Sequence, residues 1–224
     1  MWQETNQNDQ PLGARMSDVS FRIACQSLPV DHASILADAT CTHAPIIKES
    51  ECAGIHPIHV AGSQNGWERP DNSGEYLLLS KRTRFKIRIE NAHAQQLINT
   101  LSGITLNIAD SPLHILSGIA RVLQPAPTLF SRYTYFEDLD ESVAESLFVE
   151  RIIAQCKQHH FSPTKILCGK EHTINTASGP RLTRSVLLAD VPAIESLTLQ
   201  DHGLGDGRTM GCGLLIPHKD TGAV

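Results

Sequence analysis

Alternating apolar and polar residues predict how the chain begins. Val19, Phe21 and Ile23 alternate with polar residues, which predicts a strand over Asp18–Cys25. Apolar residues at helical spacing follow Asp31, so we expect a helix there with Asp31 as its N-cap. The segment after this helix has a loop-like composition, with a short extended piece near residues 55–60.

The rest of the chain continues this order and then repeats it after Pro125 and Pro127. The predicted elements are strands at Tyr76–Leu79 and Phe85–Ile89, a helix from its cap Asn91 to Leu101, an extended run over Ile104–Val122, a strand over Thr128–Phe136, a helix over Glu141–His159, strands over Lys165–Ile174 and Arg181–Leu188, a helix over Val191–Leu199, and a strand over Gly213–Pro217. Two consecutive βαββαβ patterns predict an α+β protein with two tandem ferredoxin-like domains, at residues 17–124 and 127–224, after a disordered tail at 1–16.

Composition excludes several classes of protein. The chain has 224 residues, 41% hydrophobic and 19% charged, with a net charge of -5, which excludes a disordered chain. No apolar run reaches the roughly 18 residues of a membrane span, so we expect no membrane association. The polar N-terminal segment does not resemble a secretory signal, and the six cysteines are scattered without a Cys-x-x-Cys pair. We therefore expect a cytoplasmic protein without a disulfide framework.

The sharpest local motif is a glycine-rich loop before the last strand. Gly203, Gly205, Gly211 and Gly213 form a G-x-G-x₅-G-x-G spacing. The motif is not a dinucleotide fingerprint, because a strand follows it instead of a helix, and it lacks the Gly-Lys-Ser/Thr of a Walker loop. Its backbone N–H groups suit a phosphate, and a tight loop that packs a helix against a strand explains the glycines equally well.

In this context the chain resembles the repeat-associated (RAMP) superfamily. More specifically, it resembles the Cas-six CRISPR repeat-processing endoribonucleases of the short "Myxan" type, over about residues 18–219. The segments that carry the resemblance are Leu28-Pro-Val-Asp-His-Ala33, Gly54-Ile-His-Pro-Ile58, Tyr76-Leu-Leu-Leu-Ser-Lys-Arg-Thr-Arg84, Leu167-Cys-Gly-Lys170 and Gly203–Lys219.

The resemblance implies RNA cleavage without a metal or other cofactor. The 2′-hydroxyl beside the scissile phosphate attacks in line, which leaves a 2′,3′-cyclic phosphate and a 5′-hydroxyl. The implied partners are a CRISPR repeat stem-loop, the guide RNA produced from it, and other subunits of a surveillance complex in which the enzyme stays bound to its product.

The family's catalytic histidine lies in or just after the first helix, and histidine suits proton transfer near neutral pH. We rank His43 first, His56 second and His32 third. Each also has a structural interpretation: His32 at the helix start, His43 in an exposed loop, and His56 bonded to backbone in the core. A structural zinc site is a further alternative, built from Cys41, His43, Cys52, His56 and His59, although their spacing matches no standard zinc motif.

Basic residues concentrate in one predicted strand. Residues 81–88 carry five bases and no acid: Lys81, Arg82, Arg84, Lys86 and Arg88. Arg84, Lys86 and Arg88 alternate, so we expect them on one strand face that meets the RNA backbone. A solvated face or a charged sheet edge is the alternative. A second, weaker RNA-binding set comprises Lys165, Lys170, Arg181, Arg184 and Arg208. The resemblance also implies that Gly203, Gly205, Gly211 and Gly213 approach the RNA backbone.

Two other functions remain open at this point. One is a non-catalytic RNA-binding subunit of the same superfamily, which has the same fold and glycine loop. The other is a zinc or small-molecule enzyme on a ferredoxin-like scaffold, because the fold alone does not determine function.

Overall fold

The computed structural model describes residues 13–60, 75–139, 143–176 and 178–218. The first half contains β1 (Met16–Ala24), β2 (Ser27–Pro29), α1 (Ala33–His43), α2 (Ile46–Glu49), β3 (Gly54–His56), β4 (Tyr76–Leu78), β5 (Arg84–Glu90), α3 (Ala94–Leu101), β6 (Thr105–Ile108) and β7 (Ser111–Val122). The second half contains β8 (Leu129–Thr134), α4 (Glu145–Gln158), β9 (Lys165–Thr176), β10 (Gly179–Ala189), α5 (Ala193–His202) and β11 (Ile216–Pro217).

The first half forms a five-stranded antiparallel sheet in the order β3-β5-β1-β7-β6. Inward-facing residues of the central strands, such as Phe21 and Ile87, are fully buried against α1 and α3. The opposite sheet face carries the polar residues of the same strands, because side chains alternate along a strand. β2 and β4 form a separate two-stranded sheet.

The second half forms a four-stranded antiparallel sheet in the order β11-β8-β10-β9. Its core contains Phe148 and Ile152 of α4, and Leu199 of α5, packed against Val186 of β10. In both halves the first and third strands of a βαββαβ unit lie at the centre, which is the ferredoxin-like strand order. The predicted fold class, two tandem ferredoxin-like domains, is therefore confirmed.

Three local predictions are wrong. Helix α1 has His32 at its N-cap position, and Asp31 instead accepts a hydrogen bond from Asn175 of β9. The Asn91 side chain caps no helix, because it bonds to Ser17 Oγ and the Ala14 carbonyl. The predicted tail is too long at its C-terminal end, because Met16 begins β1 and is fully buried; residues 1–12 lie outside the described range.

The glycine-rich loop of the second domain packs against the first domain. A Cβ atom at Gly211 would overlap Pro57, which follows β3, and a Cβ at Gly54 in β3 would lie 2.5 Å from Leu214. These two glycines allow the backbones of the two domains to approach closely. Among the described residues, no helix is long and apolar enough to cross a membrane.

Candidate functional site

The basic strand β5 presents its charged residues on the sheet face away from the core, as its alternation predicts. Arg84 and Lys86 are exposed there, while Phe85 and Ile87 are buried on the other side. Lys86 lies opposite Ser20 of β1 and His56 of β3. The charged end of this face is therefore open to a ligand.

A groove of about 580 Å³ runs along this open face. Arg22 of β1 and Arg121 of β7 line it together with Arg84 and Lys86, and both are exposed. The groove's acidic side chain, Asp18, is paired with Arg88. Arg22 and Arg121 are not among the residues predicted to contact RNA, although strand alternation in β1 and β7 places them on the same face. Lys81 and Arg82 are exposed in the turn that leads into β5.

Arg88, predicted to meet RNA, is instead fully buried between the domains. Its Nε and Nη2 donate to the Asp18 carboxylate at 2.8 and 3.1 Å. Its Nη1 donates to the carbonyls of Gln200 and Leu215, at 2.9 and 2.8 Å. The prediction for Arg88 is wrong because the end of α5 and the chain before β11 cover this end of the strand face.

His56 lies beside the same ion pair. Its Nε2 is 3.3 Å from Asp18 Oδ1, and its side chain is 15% exposed. Burial lowers the pKa of His56, and the Asp18 carboxylate only partly offsets this effect. Burial alone would raise the pKa of Asp18, but the His56 hydrogen bond and the Arg88 guanidinium hold it well below its ordinary value. The ring is therefore oriented by the carboxylate in a largely neutral form.

His32 is buried, and both of its ring nitrogens have protein partners. Its Nε2 accepts the Ile58 N–H at 3.0 Å, so the proton is on Nδ1, which donates to the Pro29 carbonyl at 2.8 Å. The neutral imidazole joins the start of α1 to the segment that follows β3. This arrangement favours the structural interpretation of His32.

His43 is the last residue of α1, and its side chain is exposed. Of the three ranked histidines, it is the one most accessible from solvent. The structure does not bring His32, His43 and His56 together, because α1 separates His32 from His43.

The glycine loop's own packing explains its glycines. Gly211 has φ 84° and lies against Pro57, and a Cβ at Gly213 would overlap the Leu204 carbonyl. Gly203 and Gly205 similarly lie against Gly213 O and Tyr135 O. The packing interpretation therefore accounts for all four glycines.

Two arginines predicted to contact RNA are also engaged within the protein. Arg208 donates to the carbonyls of Cys52, Asp201 and His202, and burial lowers its pKa to about 10. Arg184 pairs with Glu171 at 2.8 Å and bonds to the Val143 carbonyl. These contacts give both residues structural roles. Lys170, in contrast, is exposed on β9.

The residues of the zinc alternative are separated in the fold. Cys41 is buried in the core of the first domain, and the Cys52 Sγ lies 3.7 Å from His202 Nδ1. The His59 ring contacts the ring of Tyr133. Among the described residues, no three His, Cys, Asp or Glu side chains are arranged to hold a metal ion. All six cysteines are free thiols.

Comparisons with known proteins agree with this fold. The family model described as "Cas6 Crispr" matches residues 17–220. The "CRISPR-associated endonuclease Cas6" of Myxococcus xanthus (strain DK1622) is 26% identical over 201 residues, covering 89% of this chain and 80% of that protein.

Solved structures share the fold at low identity. One described as "CRISPR associated protein Cas6" has a TM-score of 0.65 at 10% identity, covering 91% of this chain and 100% of the other. One described as "An RAMP protein binding different RNA substrates" has a TM-score of 0.62 at 12% identity, covering 89% and 98%. These solved structures share the fold of two tandem ferredoxin-like domains described above. The family match over residues 17–220 shows that the chain belongs to the Cas6 family.

Proposed function

We propose that this chain is an endoribonuclease that binds and cleaves CRISPR precursor RNA at repeat stem-loops. The observation that carries the proposal is the basic groove on the open sheet face, in a chain whose net charge is -5. Because the protein as a whole is acidic, its basic residues are concentrated locally in this groove. A groove of this charge suits the phosphate backbone of RNA. Family membership and the Myxococcus relative, named as an endonuclease, support cleavage as well as binding.

The proposed reaction is an in-line transesterification that needs no metal ion. The 2′-oxygen forms a bond to phosphorus and gives its proton to a base. The bond from phosphorus to the 5′-oxygen breaks, and an acid supplies the proton that the leaving oxygen takes. The products are a 2′,3′-cyclic phosphate and a 5′-hydroxyl.

Among the ranked histidines, we propose His43 as the proton-transfer group. Its exposed ring at the end of α1 can meet an incoming phosphate, whereas His56 is oriented by Asp18 and His32 by backbone. General acid–base catalysis contributes about 10²–10⁴-fold to a rate. His43→Ala should therefore slow single-turnover cleavage by about this factor with little change in the dissociation constant.

The test is cleavage of labelled repeat RNA with and without excess EDTA. Unchanged cleavage in EDTA and its complete loss with a 2′-deoxy substitution at the cut support the mechanism. The control is His93→Ala, which removes a partly exposed histidine that lies beside Glu90 on another part of the surface. Normal cleavage by single variants at His32, His43 and His56 contradicts the acid–base assignment. Binding without cleavage by the unaltered protein favours the non-catalytic subunit instead.

We also propose that the protein remains on its product as a subunit of a cytoplasmic surveillance complex. The six free thiols are compatible with a reducing compartment. Co-elution of the protein with the cleaved stem-loop in size-exclusion chromatography tests product retention. Immediate release of the product contradicts it.

A further inference from the structure

Three aromatic and imidazole rings meet where the domains join. The centroid of the His59 ring, after β3, is 6.0 Å from the centroid of the Tyr133 ring of β8. The Tyr133 ring is 5.7 Å from His172 of β9, edge to face at 90°. Since β10 lies between β8 and β9, the last two side chains meet across it. None of these residues has a role in the proposed proton transfer.

The protein fixes the rings from several sides. Tyr133 packs against the small cluster of Tyr135, Ile174 and Cys212. The backbone before His59 is held by the bond from Ile58 N–H to His32 and by the contact between Pro57 and Gly211. A ring held in this way loses little freedom when a ligand binds against it.

The rings are also accessible. His172 is exposed, and His59 and Tyr133 are partly exposed. Lys170, two residues before His172 on β9, is also exposed. Ring surfaces beside a cation suit a nucleotide, whose base stacks and whose phosphate pairs with the ammonium group.

We propose that His59, Tyr133 and His172 form a stacking site for one unpaired nucleotide of the RNA, with Lys170 at its phosphate. An unpaired nucleotide is required because bases within a duplex are already stacked on each other. The proposal rests on the proposed RNA-binding function and adds a contact that both domains make with one nucleotide. It gives single-stranded RNA beside the stem a defined position on the protein.

The experiment measures binding of repeat RNA made non-cleavable by a 2′-deoxy substitution at the cut. 2-Aminopurine replaces each unpaired base in turn. We expect quenching by the full-length protein at one position, and its loss in Tyr133→Ala together with about a tenfold weaker affinity. Tyr133→Phe should bind as the unaltered protein does, because stacking needs the ring and not the hydroxyl. Tyr76→Ala, which removes an exposed tyrosine of β4, is the matched control.

His172→Ala is a second test that does not depend on Tyr133→Ala folding correctly, because the exposed His172 side chain can be removed without opening the core. Unchanged affinity and quenching in Tyr133→Ala and His172→Ala contradict the stacking site while leaving the proposed function intact. Unchanged affinity for this RNA, together with slower cleavage of unmodified repeat RNA by the same variants including Tyr133→Phe, would show that the rings transfer protons, and it also contradicts stacking. If the unaltered protein binds no repeat RNA, both proposals fail.

Discussion

Arg84 and Arg88 lie on the same face of the same strand but in opposite environments. Arg84 is exposed beside the open groove, while Arg88 is fully buried between the domains. The difference arises from distant parts of the chain, since Gln200 and Leu215 supply the carbonyls that cover Arg88. One end of the basic face is thus available for a ligand, and the other end joins the domains.

The largest expected effect comes from removing the buried arginine. Arg88→Ala should lower the free energy of unfolding by about 3–5 kcal/mol, because it leaves Asp18 and two carbonyls without their buried partner. Arg84→Ala, the matched exposed change, should alter it by less than about 0.5 kcal/mol. Equilibrium denaturation in urea measures both values. Similar small losses in both variants would show that the cover over Arg88 does not persist in solution.

The next largest loss of stability is expected at the glycine contact between the domains. Gly211→Ala must displace Pro57, and we expect it to cost about 1–3 kcal/mol beyond the backbone strain. Gly103→Ala measures the cost of backbone strain alone, because Gly103 has a similar φ of 85° and nothing lies within 4 Å of its added Cβ. Thermal denaturation of both variants gives the difference between their losses of stability. Equal losses would mean that Gly211 needs its conformation but not its close approach.

The open end of the face should affect RNA binding instead of stability. The double variant Arg84→Ala/Lys86→Ala should reduce the slope of log K against log[salt] by roughly 1–2, since fewer counterions are released on binding. Lys48→Ala/Lys157→Ala removes the same charge from exposed positions of α2 and α4. Titration of repeat RNA at several salt concentrations compares the two. The open face is not the RNA surface if both double variants have the slope of the unaltered protein.

The smallest effect concerns pH at the buried end. The pKa of Asp18 is held below its unfolded value of 3.8, so its contribution is present above that value and is lost as the pH falls below it. Asp18→Asn should therefore be less stable than the unaltered protein at pH 7, and the gap should narrow as the pH drops below about 4. Denaturation curves of both proteins across this pH range show whether the difference in stability narrows or widens in acid. A gap that widens in acid would contradict the pairing of Asp18 with Arg88.

Local pattern predicted the strand face but not what covers it. Alternation in β5 correctly placed Arg84, Lys86 and Arg88 on one side, because side-chain direction depends only on the strand's own geometry. The burial of Arg88 depends on residues more than 100 positions away along the chain. No local signal in the sequence carries that information.

The candidate site shows the same limit. The spacing of the glycines revealed a tight loop, yet only the fold shows that they approach Pro57, Leu204 and other protein atoms. The ring group was missed because Tyr133 is 74 residues from His59 and has no motif around it. The sequence alone indicated His59 only as a candidate zinc ligand.

The position of Arg88 has a consequence for synthesis of the chain on the ribosome. Gln200 and Leu215 are translated 112 and 127 residues after Arg88. At about 5–20 residues per second, roughly 6–25 seconds pass between the synthesis of Arg88 and that of Leu215, the last residue that accepts a hydrogen bond from it. Until Gln200 has been translated, the guanidinium has only Asp18 and water as partners. A nascent chain released before residue 215 would therefore carry a first domain with an unfinished surface, so complete translation becomes a condition for its full folding stability.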